Sequence, residues 1–253
     1  MRRLRAIALT WALVLLALAG SATASSVSRP SWTAGDYWTY RTSTTPIPGL
    51  NLSGTATSTV LGTIPTRAGG HTIDAFRVLL AGQGTAIGNV SARNGTYLVR
   101  GTWTLTGEER FEPENLHPIY SLIDLRVNAT SPIPYYARVQ NTTTYAVLSD
   151  GWPYPWVVGT TGNVTLGFNA TQDVYTPAGQ MHDNATGMLT LGFALGAAFS
   201  LGTPAGTFDA YPLRELEPGG SWQVLDFAPA IGNNARTESH DRDGNLTSLD
   251  TLV

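Results

Sequence analysis

Most of the chain after residue 30 alternates between apolar and polar residues with a period of two. The clearest stretches are 37–41, 55–60, 75–80, 96–105 and 163–168. Such alternation indicates strands with one face toward a core and the other toward solvent. Glycine- and proline-rich breaks separate the stretches, and no window beyond the N-terminus has the i, i+3, i+4 spacing of an amphipathic helix. The pattern predicts a mostly β protein of curved antiparallel sheets with few short helices.

Two local signals are more specific than the alternation. The segment 108–125 is the best place for one of the short helices. Asp243-Gly244 predicts the turn of a hairpin between two alternating stretches. Oxygen ligands also alternate around this turn, as in calcium loops, but Gly244 stands fourth instead of sixth and no glutamate follows at the twelfth place. The segment is therefore interpreted as a turn, and no metal site is predicted there.

A weak internal repeat divides the chain. Segments 72–78 and 207–213 both follow a glycine and read Thr, apolar, Asp, Ala, aromatic, any residue, aliphatic. A tryptophan-rich opening precedes each of them. The repeat predicts two related β units, 25–148 and 149–253, and leaves open whether they form an open half-barrel or a sandwich. Pro212 interrupts the second copy, and because proline cannot donate to a ladder, its strand should lie at an edge or a bulge.

The first 24 residues have the order of a secretory signal peptide. Three arginines precede an apolar run of about 15 residues, and Ala22 and Ala24 have the spacing that signal peptidase recognises. The run is shorter than the roughly 20 residues that a membrane-spanning helix needs. We therefore expect cleavage after Ala24 and a location outside the cell or on its surface, with an uncleaved anchor as the alternative.

Charge and cysteine content narrow the function classes. Cleavage would change the formal net charge from −3 to −6, because the basic residues fall from 15 to 12 against 18 acidic ones. A nucleic-acid partner is not expected, since phosphate binding needs clustered positive charge. The chain has no cysteine, so no disulfide can stabilise the exported protein and no thiol can act as a nucleophile.

The sequence is rich in acceptor motifs for N-linked glycosylation. Nine of the twelve asparagines begin Asn-x-Ser/Thr, which exceeds what the serine and threonine content would supply by chance. The alternative is that these residue types simply meet in turns. Each used acceptor must face solvent, which predicts exposed loops and strand ends at these positions. The acceptors are Asn51, Asn89, Asn94, Asn128, Asn141, Asn163, Asn169, Asn184 and Asn245.

Three short motifs resemble a known family. They are the Trp-x-x-Gly-Asp-Tyr-Trp opening at 32–38, the Pro-Ala-Gly-Thr-Phe entry at 204–208 and the Phe-x-Pro-x-x-Gly segment at 227–232. Together with 69–80 they are similar to exported half-barrel proteins of the lipoprotein-carrier (LolA-like) superfamily and to uncharacterised archaeal secreted proteins. The resemblance covers under half of the chain. It implies a curved sheet, open along one side, whose concave face holds an apolar chain or packs on a helix, and it offers no catalytic residues.

Motifs for catalysis or cofactor binding are absent from the sequence. The four histidines, at 71, 117, 182 and 240, form no zinc-binding pair, and no nucleophile elbow, phosphate loop or dinucleotide fingerprint occurs. Glu108 and Glu109 are adjacent, so on a strand they would point to opposite faces and could not act on one substrate. The sequence predicts a protein that is not an enzyme, with no cofactor and no metal. An enzyme would require some of the scattered histidines and acids to meet in one cleft.

Aromatic residues are the candidate binding groups. The leading hypothesis is a secreted or cell-surface glycoprotein that binds an apolar or lipidic ligand in a sheet concavity. The alternative is a carbohydrate-binding or adhesion module of the cell envelope, for which exposed coplanar rings at Trp152 and Trp156 would be evidence. These two tryptophans could instead close the end of a barrel. Partners would then be a lipid or glycan ligand and envelope or surface components. The candidate ligand-binding residues are Trp38, Tyr40, Phe76, Trp152 and Trp156.

Overall fold

A computed structural model describes residues 25–47, 49–92, 95–131 and 134–253. The predicted signal peptide and Asn94 lie outside these residues. Every regular element within them is a strand, and none of these residues belongs to a helix long and apolar enough to cross a membrane. The strands are β1 (Ser26–Val27), β2 (Tyr37–Ile47), β3 (Leu50–Ala68), β4 (His71–Ala92), β5 (Gly95–Phe111), β6 (Pro118–Ser131), β7 (Tyr135–Asp150), β8 (Trp156–Val157), β9 (Thr161–Thr176), β10 (Gly179–Leu195), β11 (Phe199–Thr203), β12 (Gly206–Leu216), β13 (Trp222–Ala228), β14 (Asn233–His240) and β15 (Leu246–Leu252).

Twelve of the strands form a closed antiparallel barrel. Their order is β10-β9-β7-β6-β5-β4-β3-β2-β15-β14-β13-β12, and β12 pairs with β10 to close the circle. The closing ladder is short, from Gly192↔Leu216 to Leu195↔Leu213. The mostly β, antiparallel prediction is confirmed, whereas the open half-barrel and the sandwich are wrong. Alternation assigns residues to faces but does not reveal that the two edge strands meet, and this pairing satisfies backbone groups that open edges would expose.

The helix predicted at 108–125 is also wrong. The segment contains the end of β5, a connection at 112–117 and the first half of β6. Glu109 pairs with Ser121 in the ladder between these strands. Since alternate residues face the core on both sides of the connection, extended pairing buries the apolar residues that a helix would have scattered around its surface.

The barrel wall is polar outside and apolar inside. On β5, the inward residues Val99 and Trp103 are 0% and 3% exposed. The outward residues between and beside them, Thr102 and Thr104, are exposed.

Glycines let neighbouring strands and the Trp103 ring approach each other closely near the upper end of the barrel. We define this end as the one that carries the turns at Gly49 and 241–245. A Cβ atom on Gly84 would lie 2.6 Å from Gly54 Cα on the adjacent strand and 2.7 Å from Trp103 Nε1. The missing side chains let Trp103 reach across the strands and donate to the Ser53 carbonyl at 3.1 Å. A buried apolar core around Trp103 fills this end.

Loops and the N-terminal segment close the lower end of the barrel. Asp150 organises this plug, which comprises residues 28–36, 112–117, 151–155 and 229–232. Its carboxylate accepts hydrogen bonds from the Asn115 amide at 2.8 Å and the Trp152 backbone N–H at 2.8 Å, and it lies 2.9 Å from His117 Nε2. Asp150 therefore joins two segments of the plug, 112–117 and 151–155, through one side chain.

The sequence signals for units and turns have distinct outcomes. The proposed boundary at 148/149 falls within β7, and strands from both sides of it share one barrel. The repeated segments begin β4 and β12, where Ala75 and Ala210 are both fully buried; common origin of the two halves stays a prediction. Pro212 lies where β12 changes its neighbour from β11 to β10, so proline is accommodated in the gap between these two ladders, although β12 is neither an edge strand nor bulged there. The Asp243-Gly244 turn between β14 and β15 is confirmed.

Candidate ligand-binding lumen

The barrel lumen contains two adjoining chambers between the plug and the upper core. Their volumes are about 530 and 840 Å³. They share lining residues from several strands, including Phe111, Trp156, Leu213 and Leu225, and so form one continuous cavity. The size is that of pockets that enclose small organic molecules.

Aromatic rings from β2 and from the plug line the smaller chamber. The Trp38 indole donates to the Ile231 carbonyl at 2.9 Å, and the Tyr40 hydroxyl donates to the Asn234 carbonyl at 3.0 Å. The Trp156 indole donates to a backbone carbonyl at 3.2 Å. These hydrogen bonds satisfy the polar atoms of the rings, and the remaining ring surface is apolar.

Three carboxyl groups from different parts of the wall also line both chambers. They belong to Glu109 on β5, Glu215 on β12 and Asp250 on β15. The Gln223 amide donates to Glu215 at 2.8 Å. Burial raises the pKa of each of the three carboxyl groups above its ordinary value. Burial, reinforced by the charge of Asp250, also raises the pKa of Tyr40. The protonated forms are therefore favoured in the lumen compared with water.

The carboxyl groups have no basic counterpart among the described residues that line the two chambers. Neither chamber is lined by an arginine or a lysine. His117 lines the larger chamber, but it is already hydrogen bonded to Asp150. Glu217 adds a further acid to the same chamber. The described lining is thus apolar with an acidic belt.

An opening in the wall adjoins the larger chamber. β10 pairs with β12 only over Gly192–Leu195, so most of that edge of β10 has no strand beside it in the described part of the chain. Leu189, Pro218 and Gln223 line the chamber at this point. A ligand could enter between β10 and the connection that follows β12.

Four of the five aromatic residues singled out by the sequence contact this cavity. Trp38, Tyr40 and Trp156 line the smaller chamber, and Trp152 and Trp156 line the larger one. Phe76 lines neither chamber and packs instead against Trp32, with ring centroids 5.7 Å apart.

The tryptophans of the Trp-Pro-Tyr-Pro-Trp segment do not form an exposed platform. Trp152 is only 5% exposed. Its ring stacks with that of Trp156 at a centroid distance of 6.2 Å. The pair lies at the lower end of the barrel, with Trp152 in the plug and Trp156 in the adjoining β8, in agreement with the interpretation that these residues close a barrel end.

Sequence reasoning did not identify Glu215 and Asp250 as site residues. Their spacing along the strands could have identified them, because residues two positions apart share a face. Glu215 follows inward-facing Leu213 by two positions, and Asp250 precedes buried Leu252 by two. A charged residue on the apolar face of a strand is unusual. The sequence correctly placed Glu109 on the face opposite Glu108, but it did not show that Glu109 lines a cavity.

The acceptor asparagines divide into outward and inward positions. Asn141 is half-buried and faces the lumen side of β7, opposite Ile123. The other described acceptors are exposed, and most lie within strands on the outside of the wall instead of in loops. The exposed ones are Asn51, Asn89, Asn128, Asn163, Asn169, Asn184 and Asn245.

The remaining chemistry and the relatives of the chain add little. Within the described residues, no group of three or more histidines and acids is arranged to hold a metal ion. The resemblance to lipoprotein carriers stays a prediction. Comparisons of the chain with models of protein families, with curated proteins and with solved structures found no match.

Proposed function

We propose that the protein is an exported β-barrel that binds a small molecule with an apolar body inside its lumen. The observation that carries this proposal is the continuous cavity, with chambers of about 530 and 840 Å³, in a barrel whose two ends are filled by a core and a plug. A small molecule of matching size could contact both the apolar side chains and the polar groups that line the chambers.

The lining and the outer wall support the same function. Trp38, Tyr40 and Trp156 offer apolar ring surface that is held in place by hydrogen bonds. The polar outer wall, together with the predicted signal peptide, suits a protein that carries such a ligand in an aqueous compartment outside the cell. Because Trp152 is buried, the lumen is a better candidate for the binding site than an exposed sugar-binding surface.

A second candidate function is acid–base catalysis on the bound molecule. Glu109, Glu215 and Asp250 line one cavity, and the burial that raises their pKa values is typical of general acids. Hydrolysis of aryl glycosides by the wild type, lost in Glu109→Gln or Glu215→Gln, would favour it; activity unchanged in both variants would exclude these carboxyl groups as catalysts.

A fluorescence titration with N-phenyl-1-naphthylamine tests binding. Ser58 lines the smaller chamber, so Ser58→Trp should fill part of it and weaken binding roughly tenfold, a loss of about 1.4 kcal/mol. Thr59→Trp places the same ring on the outer face of the same strand and should bind like the wild type. If the wild type shows no saturable binding, or if both variants bind like it, the lumen is not the binding site.

A further inference from the structure

The described lining of the cavity is unbalanced in charge. Besides the exposed Glu217, three acids line it, and each of the three has only neutral groups as hydrogen-bond partners: Ser121 for Glu109, Gln223 for Glu215 and Thr42 for Asp250. The arginines of the neighbouring wall lie on its outer surface. Arg77 and Arg110 bind Glu108, while Arg126 and Arg138 bind Asp124. The inner acids are thus left without a described cation.

Isolated carboxylates in a confined cavity are costly unless a cation or a proton accompanies them. The outer acids Glu108 and Asp124 are paired with arginines. The three inner carboxyl groups have no such partner among the described residues, so they would attract a positively charged ligand that enters the lumen.

The aromatic rings favour the same ligand charge. Trp38, Tyr40 and Trp156 line the chamber that also contains Glu109 and Asp250. The faces of such rings attract cations, most strongly where water is excluded. Aromatic rings combined with carboxylates are a combination that binds ammonium groups.

A separate observation concerns the larger chamber. The indole N–H of Trp152 is buried and has no hydrogen-bond partner among the described residues. Trp152 also lines this chamber. Unpaired buried donors are rare and usually indicate a missing partner. This donor lies beside the chamber, where a ligand with a hydrogen-bond acceptor would be its nearest source of a partner.

We propose that the lumen selects an organic cation, an amine with an aromatic or aliphatic body, whose ammonium group is attracted by the inner carboxyl groups of Glu109, Glu215 and Asp250 while its body contacts Trp156, Leu213 and Leu225. This inference rests on the proposed function and specifies the class of its ligand. The body fills the apolar part of the cavity, and the ammonium group neutralises the acidic belt.

Calorimetric titrations with three matched probes test this inference on the full-length mature protein at pH 7. The probes are 1-naphthylmethylamine, 1-naphthalenemethanol and 1-naphthoate, which share a ring and carry a positive, a neutral and a negative group. We expect the amine to bind roughly tenfold or more tightly than the alcohol, and the carboxylate to bind least. Equal affinity for amine and alcohol would overturn the inference while leaving the proposed function intact. Failure of all three probes to bind would contradict both.

Variants assign the effect to the inner acids. Glu215→Gln and Asp250→Asn should each reduce the preference for the amine over the alcohol several-fold and leave the affinity for the alcohol nearly unchanged. Glu114→Gln removes the same charge from an exposed position in the 112–117 connection and should keep the full preference. If Glu114→Gln reduces the preference as much as the inner variants do, the preference reflects overall charge and the inference fails.

Discussion

Glu108 and Glu109 are adjacent in the sequence, yet their carboxyl groups lie on opposite sides of the barrel wall. Glu108 is outside, where its carboxylate oxygens lie 2.7 Å from both Arg77 Nη2 and Arg110 Nη2. Glu109 lines the lumen. Two environments thus act on the same chemical group. Although burial raises the pKa of Glu108, hydrogen bonds from both arginines outweigh it and hold that pKa below its usual range, whereas burial raises the pKa of Glu109.

Glu109→Gln should stabilise the ligand-free protein at neutral pH. Because the folded-state pKa of Glu109 is raised, the wild type loses stability as the pH rises from the unfolded-state pKa through the folded-state value. Glutamine does not ionise, so the variant avoids this loss. Its free energy of unfolding in urea should exceed that of the wild type at pH 8 and equal it near pH 4. Glu108→Gln should do the reverse, with its largest loss of stability at neutral pH and a smaller one in acid. The same sign for both variants would refute the assigned environments.

Asp124→Asn should destabilise the barrel by about 1 to 2 kcal/mol. Hydrogen bonds from Arg138 and Arg126 hold the pKa of Asp124 well below its usual range, and the ion-pair distances are 2.7 and 2.9 Å. The stabilisation exists above the unfolded-state pKa and is lost as the pH falls toward the lowered value. Chemical denaturation at pH 7 measures the difference. Asp209→Asn, at an exposed position, is the control and should change stability by no more than about 0.5 kcal/mol.

Gly84→Ala should cost about 2 to 3 kcal/mol or prevent folding. Its new methyl group would meet the Gly54 backbone and the Trp103 ring, at 2.6 and 2.7 Å, and backbone cannot move aside as a flexible side chain can. The control is Gly202→Ala, whose methyl group would meet nothing within 4 Å. Circular dichroism and urea unfolding of both variants provide the comparison. Equal stability of the two variants would show that the close approach of the Gly54 backbone and the Trp103 ring to Gly84 is absent.

Glycopeptide mass spectrometry on protein from its own cells tests the faces of the wall. Glycans should occur at exposed acceptors such as Asn128, Asn169 and Asn184, and Asn141 should be unmodified. A glycan is too bulky and too hydrated for the inward face on which Asn141 lies. High occupancy at Asn141 would mean that β7 has the opposite register.

Local sequence rules predicted what depends on local geometry. Alternation identified parts of β2, β3, β4, β5 and β9 and placed Glu108 and Glu109 on opposite faces. Asp243-Gly244 marked its turn because the residue types match the backbone that a hairpin turn needs. The fold as a whole depends on contacts that no local pattern reports. Barrel closure rests on a ladder of four residue pairs between β10 and β12.

The candidate site was predicted only in part for the same reason. Trp38, Tyr40 and Trp156 stood out as aromatic residues in a β protein, and they line the cavity. Glu215 and Asp250 are far apart in the chain, and only the closed circle of strands brings them to one lumen. The helix expected at 108–125 failed because tertiary pairing outweighs weak local preference.

The location of a bound heavy atom tests the central claim most directly. Crystals soaked with 1-bromonaphthalene should show an anomalous bromine peak inside the barrel, beside Trp156, Leu213 and Leu225. A peak found only on the outer surface, or a lumen occupied by side chains that leave no room for the ring, would contradict the account of this protein as a barrel that encloses a ligand.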